Sequence, residues 1–180
     1  MDRSARALIL AALFVSIPAF AAETPAFSPQ LKALDAQAGK WVYHGTTAAT
    51  PKDKAGTFTW NEDCDWSANK LFLMCSFDND WSGQKVRSLV VDTYNDHDKT
   101  YWHYEMFASG TSGDKPFVSK MTVAGDTWTE YGEDDDGGKK SYDRIVYQYV
   151  SATRVTVKIE VSSDKVHWTT VVQGVGDKQP

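Results

Sequence analysis

Cys64 and Cys75 are the only cysteines in the chain. A metal site would need histidines or further cysteines at ligand spacing, and neither stands beside them. In an oxidising compartment such a lone pair is expected to close as a disulfide. The run Asp78-Asn79-Asp80-Trp81-Ser82-Gly83 copies the first half of a calcium loop, with oxygen ligands at alternate positions and a glycine turn. Its twelfth position, however, is Leu89, where a bidentate glutamate belongs. A plain turn is therefore expected there. Glu133-Asp134-Asp135-Asp136 followed by two glycines reads as a solvated hairpin tip. Serine, histidine and aspartate all occur, but there is no Gly-x-Ser-x-Gly elbow and no glycine-rich phosphate loop. No arrangement specifies nucleophilic catalysis, so no catalytic residue, metal or cofactor is assigned.

Glu62 is the informative acid. It interrupts an otherwise apolar face formed by Phe58, Trp60, Cys64 and Trp66. Enclosed in a cavity, its carboxyl would be driven toward the neutral form and could serve as an acid or anchor a polar ligand group. At a barrel mouth it would simply touch water.

Positioning these groups requires sheet. The mature chain has one convincing helix, from Gln30 to Ala38, with Ser28 at its N-cap, Pro29 at the first helical position and Gly39 as its stop. Everything beyond alternates. Short β-rich runs separated by Gly, Asn, Asp and Ser predict ten strands: 40–46, 55–66, 70–77, 85–94, 100–108, 116–123, 127–132, 141–150, 154–162 and 166–174. Register can be tested in the hairpins. If Cys64 faces Cys75, then Trp66 faces Leu73 and Glu62 faces Phe77, so the apolar faces coincide, and a one-residue slip breaks both. Asn69 suits a left-handed position in that turn. A turn at 124–127 pairs Val123 with Trp128; near 151–154 more than one register fits the sequence, one of which sets Tyr147 and Ile145 on the side of Val157 and Ile159. A tight turn at 162–165 would pair Val155, Val157, Ile159 and Val161 with Val172, Thr170, Trp168 and Val166. Short sequential connections favour an up-and-down meander, closed to protect its edges.

The N-terminus sets the compartment. Arg3 and Arg6 precede an apolar run, Ala7 to Ile17, too short to span a bilayer, and Ala19-Phe20-Ala21 has the small-x-small pattern of a signal-peptidase site. The expectation is a signal peptide over 1–21, with the cut after Ala21 or Ala22, and a single domain over 22–180. Export to the periplasm or medium follows. The formal net charge of −5, without a basic stripe, speaks against nucleic acid as a partner. No second apolar stretch is long enough to cross a membrane.

At Gly39-Lys40-Trp41, after a predicted helix and before a β-meander, the chain resembles the calycin superfamily of lipocalins and fatty-acid-binding proteins. The segment from Asp92 to Tyr101 and the Trp66–Phe72 hairpin resemble an exported bacterial calycin-like family of unassigned function. The resemblance implies a barrel of about ten strands with an internal cavity, closed at one end by the tryptophan, and no catalytic residues to transfer. Lipocalins also pack a basic residue near that tryptophan, for which Arg144 and Arg154 are the candidates. One calycin-like group holds haem through a barrel histidine, which must face the cavity. Here His44 and His167 alternate with Tyr43 and Trp168, His97 lies in a turn, and His103 alternates with Trp102, Tyr104 and Met106. All four are expected on the surface or rim.

The reading is thus an all-β protein, a closed antiparallel up-and-down barrel of about ten strands with one short N-terminal helix. It is expected to bind a small apolar or amphipathic molecule. Face alternation proposes Tyr43, Phe58, Trp60, Glu62, Phe77, Trp102, Tyr104, Met106, Tyr147 and Trp168 as its lining. Three alternatives stay open: an enzyme using Glu62, a haem-binding barrel, and a protein-interaction module with a solid interior.

Overall fold

The computed structural model describes residues 28–50, 54–108, 116–136 and 138–180. The expected signal peptide lies outside the described residues. Ten strands follow the short helix α1 (Pro29–Ala33): β1 (Gly39–Thr47), β2 (Gly56–Trp66), β3 (Leu73–Trp81), β4 (Gln84–Asn95), β5 (Thr100–Phe107), β6 (Phe117–Ala124), β7 (Thr127–Asp136), β8 (Lys139–Ser151), β9 (Arg154–Ser162) and β10 (Thr169–Lys178). Each strand pairs antiparallel with the next, and β10 returns to β1, so the meander closes into a barrel. Closure removes the exposed edges that a ten-stranded open sheet would carry.

The helix seals one end. Ser28 accepts a hydrogen bond from the Leu31 amide at 3.1 Å, and a 3-10 turn over Leu34–Ala36 continues the chain. Gly39, at φ +101, lies in the left-handed region that a side chain rarely adopts, which lets the chain swing directly into β1. Three aromatic side chains tie the segment to the barrel. Trp41 Nε1 donates to Gln37 O at 2.9 Å, Trp66 Nε1 to Asp35 Oδ1 at 2.8 Å, and the Tyr101 hydroxyl to Gln30 O at 2.9 Å. Leu31 and Leu34 are buried with Trp41, Leu73, Met121, Trp128, Tyr149 and Val155, giving this end a packed core. The basic residue over Trp41 is Lys178, with Nζ 5.3 Å from the ring centroid. Arg144 and Arg154, the candidates from sequence, instead pair with Glu160 and Asp177.

Register agrees with the sequence reading in the first hairpins. Cys64 faces Cys75, Trp66 faces Leu73, Glu62 faces Phe77 and Val123 faces Trp128. The two cysteines form a disulfide. In the turn between them Lys70, not Asn69, has positive φ, while Asn69 Oδ1 accepts from the Ser67 hydroxyl and the Leu71 amide. The calcium-like run ends as a two-residue hairpin over Ser82 and Gly83, both at positive φ. Asp80 accepts from the Gly83 amide at 2.6 Å and pairs with Lys85, while Asp78 pairs with Arg87.

The last hairpin differs. Ile159 faces Val172, Val157 faces Gly174 and Val155 faces Gly176, four residues beyond the register expected from a tight turn. The cause is a longer, ordered connection. Asp164 Oδ1 accepts from the amides of Val166 and His167, Trp168 Nε1 donates to Lys165 O, and a bulge follows between Thr170 and Val172. This puts Gly174 and Gly176 on the inner face of β10 beyond the buried Val172. A Cβ at Gly174 would stand 2.7 Å from Phe58 Cζ, and one at Gly176 would stand 2.5 Å from the Tyr43 ring.

Candidate functional site

Alternation along the strands fixes what points inward, and the interior is unexpectedly rich in ionisable groups. From β4 and β5, Asp92 and His103 face each other across a ladder pair, with His103 Nδ1 2.9 Å from Asp92 Oδ1. Glu130 of β7 lies on the other side, its Oε1 3.7 Å from His103 Nε2, and accepts a 2.6 Å hydrogen bond from the Ser119 hydroxyl. Glu105 of β5 accepts from Ser88 at 2.6 Å. Glu62 of β2 is buried beside Tyr43, with Oε1 2.9 Å from Cys64 Sγ. That sulfur is held in the disulfide and has no proton to give. Four carboxyl groups thus surround one imidazole.

Electrostatics follow from this crowding. Burial pushes the Glu62 carboxyl up to about 8, reinforced by Asp92 and only partly offset by Tyr43 and His103. Burial likewise raises Glu130, against the pull of His103 and Ser119. For His103 burial opposes the charged form, but Glu130 and Asp92 outweigh it and raise the imidazole to about 10. His103 is therefore an imidazolium at neutral pH. Tyr43, Tyr147 and Tyr149 are all raised, first by burial and then by neighbouring acids.

Toward the end opposite the helix, the wall between β2 and β3 is aromatic. Phe58 and Trp60 pack with tilted rings, centroids 4.5 Å apart, and Trp81 lies 5.5 Å and 5.3 Å from them. Trp60 faces Asn79 directly across the ladder. Both are buried, at 5% and 7% exposure. Trp60 Nε1 and Asn79 Oδ1 nevertheless have no hydrogen-bond partner in the protein. One is a donor and the other an acceptor, side by side in an apolar wall. On the far side of Trp81 a pocket of about 720 Å³ opens at the barrel mouth, lined by Trp81, Val172, Thr47 and Gln84 among others but by neither Trp60 nor Asn79.

Six of the residues expected as lining point inward, although none of them lines the mouth pocket itself. Tyr43, Phe58, Trp60, Glu62, Phe77 and Tyr147 lie on inward positions of their strands and are buried or half-buried. Trp102, Tyr104 and Met106 do not. On β5 the inward set is Tyr101, His103 and Glu105, and Tyr104 and Met106 are 37% and 40% exposed. The reading from sequence chose the greasier of two alternating faces, whereas the barrel buries the charged one because Asp92, Glu130 and Ser88 receive it. His103 is accordingly inside, not on the surface, while His44, His97 and His167 are exposed as expected. Trp168 is also outside, displaced by the longer connection. It stacks under Arg144, whose Cζ is 4.3 Å from the ring centroid. Trp102 and Trp168 instead line one outer groove of about 700 Å³.

The haem alternative required a histidine facing the cavity. His103 does so, but both its nitrogens are directed at carboxylates and it holds its proton, so its donor set does not suit iron ligation. Among the described residues, Glu62, Cys64 and Cys75 bring potential metal-ligating atoms within 4.8 Å of one another. Both sulfurs are spent in the disulfide, which leaves a single carboxyl.

These features define a ten-stranded antiparallel barrel with a charged, partly unsatisfied interior beneath an open mouth. Residues 28–178 match the family described as "Protein of unknown function (DUF1579)", and the chain belongs to that family. A search among curated proteins finds no match. The fold is similar to the crystal structure of Rv2717c from M. tuberculosis, with a TM-score of 0.56 and 12% identity over 86% of this chain and 99% of that one. At that identity the likeness concerns the fold.

Proposed function

We propose that the protein binds a small amphipathic molecule inside the barrel, taken in through the mouth beside Trp81. The pair formed by Trp60 Nε1 and Asn79 Oδ1 carries this reading. Leaving a buried polar group without a partner costs about 1–3 kcal/mol, and native interiors seldom carry such a cost twice in adjacent positions without use. A guest with one donor and one acceptor would satisfy both groups while its apolar part lies on Phe58, Trp60 and Trp81. Glu62, Tyr43, Phe77 and Tyr147 complete the lining. The barrel is best read as calycin-like and exported, which the disulfide supports, since such bonds persist in oxidising compartments. No helix among the described residues is long and apolar enough to cross a membrane.

Native mass spectrometry of the protein isolated from the cells that make it tests this. A one-to-one small-molecule adduct is expected, absent from Asn79→Leu. Bare protein, with no adduct and no thermal shift from any added amphiphile, would rule the reading out.

A protein-interaction surface is the second reading. Met74, Val91, Tyr104 and Val118 form one outer row across β3 to β6, with Leu89 and Met106 beside it, and all but Val91 are well exposed. Apolar patches of this kind mark docking sites. Concentration-independent sedimentation and no apolar dye binding to this face would set it aside.

A further inference from the structure

We infer that the outer groove beside Trp102 and Trp168 is a second binding site, separate from the barrel interior, and that it takes an acidic oligosaccharide. Four adjacent strands build its floor. Trp102 of β5 faces Lys120 of β6, Lys120 faces Tyr131 of β7, and Tyr131 faces Arg144 of β8. Their outward side chains alternate ring, cation, ring, cation along one line across the sheet. At the ~4.8 Å spacing of neighbouring strands that line runs about 14 Å, which suits a chain of sugar rings better than a single small anion. The β9–β10 connection closes the far end by folding back on β7 and β8, where Trp168 lies on Arg144 and Lys165 lies on Tyr142.

Three cations in the groove are held on aromatic rings. Lys120 Nζ stands 4.8 Å from the Trp102 centroid, Arg144 Cζ 4.3 Å from that of Trp168 and Lys165 Nζ 4.2 Å from that of Tyr142. A side chain already fixed over a ring loses little more freedom on meeting an anion, so the site is preorganised. The acids nearby do not neutralise it. Glu133 is shared by Lys140 and Lys165, and Glu160 by Arg144 and Lys158. Asp135 lies further out, opposite Lys140, and Asp143 turns to the inner face beside Gly132. Among the described residues Lys120 has no acid partner, and Arg144 spends only Nε and Nη2 on Glu160. On a chain of net charge −5, this fixed positive charge selects an anion. The rings decide what carries it. Tyr131, 45% exposed between two cations, is an apolar platform within reach of ionic partners. A sugar acid rests its C–H face on such a ring while its carboxylate meets the cations. An anionic lipid surface would match the charge but needs a projecting face, and this one is recessed.

The test is titration of the intact, nitrogen-labelled protein with trigalacturonate and with its methyl ester, which keeps the rings and loses the charge. The expected result is movement of the Trp102 and Trp168 indole signals with Trp60 still. The acid should bind about tenfold or more tighter than the ester, and its affinity should fall as salt is raised. Lys120→Gln should weaken the acid about fivefold and leave the ester unchanged, whereas Tyr131→Ala should weaken both. Both residues are exposed, so neither change threatens the fold. Equal affinity for acid and ester would overturn the anionic ligand. Still Trp102 and Trp168 signals with both trisaccharides would overturn the site, and so would co-sedimentation with phosphatidylglycerol vesicles in place of trisaccharide binding. None of these results bears on the interior, whose reporter is Trp60.

Discussion

His103 and Asp92 face each other inside the barrel, Nδ1 to Oδ1 at 2.9 Å, with Glu130 beyond the other ring nitrogen. Breaking such a buried pair strands two acids in a low-dielectric interior, at a cost of about 3–5 kcal/mol. His103→Gln should therefore lower the midpoint of chemical denaturation strongly at pH 7. The sign of the pH dependence follows from the raised imidazole. Its contribution is fully present below the unfolded value near 6.5 and is lost as pH rises through about 10. Wild-type stability should thus decline across that interval, and His103→Gln should flatten the decline. A variant as stable as the parent would show the pair to be energetically idle.

Glu62 gives a second, separable slope. Its carboxyl titrates near 4.5 when unfolded and near 8 when folded, so the folded chain binds more protons between those values and stability falls as pH rises through them. Glu62→Gln removes the penalty. It should stabilise the protein by about 3 kcal/mol at pH 7 and have little effect at pH 4, as measured by urea denaturation at both values. An equal effect at the two pH values would contradict a neutral buried carboxyl.

Closure of the barrel depends on side chains that are missing. Gly45 and Gly174 face each other across the β1–β10 seam, and a Cβ on Gly174 would stand 2.4 Å from His44 O. Gly174→Ala should cost about 1–3 kcal/mol by overpacking and should raise hydrogen exchange first along β1 and β10. Exchange raised uniformly, or not at all, would show that the seam is not specially tight.

The strand count, the meander and the Cys64–Cys75 register were legible because apolar and polar residues alternate cleanly on β2 and β3, and one register satisfied two constraints together. Two features escaped that logic. On β5 both faces carry large apolar groups. Trp102, Tyr104 and Met106 looked like the core, and nothing local says that Asp92, Glu130 and Ser88, distant in sequence, would receive His103 and Glu105. In the last hairpin the apolar pattern runs through Val166 and Trp168. The Asp164-capped connection then shifts the ladder by four residues, handing the inner face to Gly174 and Gly176. Those two glycines, two residues apart in a β-rich run, were the available signal that bulky side chains stood opposite. The mouth wall was half visible, since Trp60 was assigned inward and Asn79 was read as part of a turn.

The chain has seven tryptophans, whose indole N–H groups report separately in nitrogen–proton correlation spectra. Titrating decan-1-ol, whose hydroxyl can both donate and accept, into nitrogen-labelled protein asks directly whether the guest sits in the barrel. The Trp60 indole signal should move as its free N–H gains an acceptor, Trp81 following through ring contact, while Trp102 and Trp168 stay still. Movement confined to Trp102 and Trp168, with Trp60 unchanged at saturation, would put the ligand in the outer groove and contradict it.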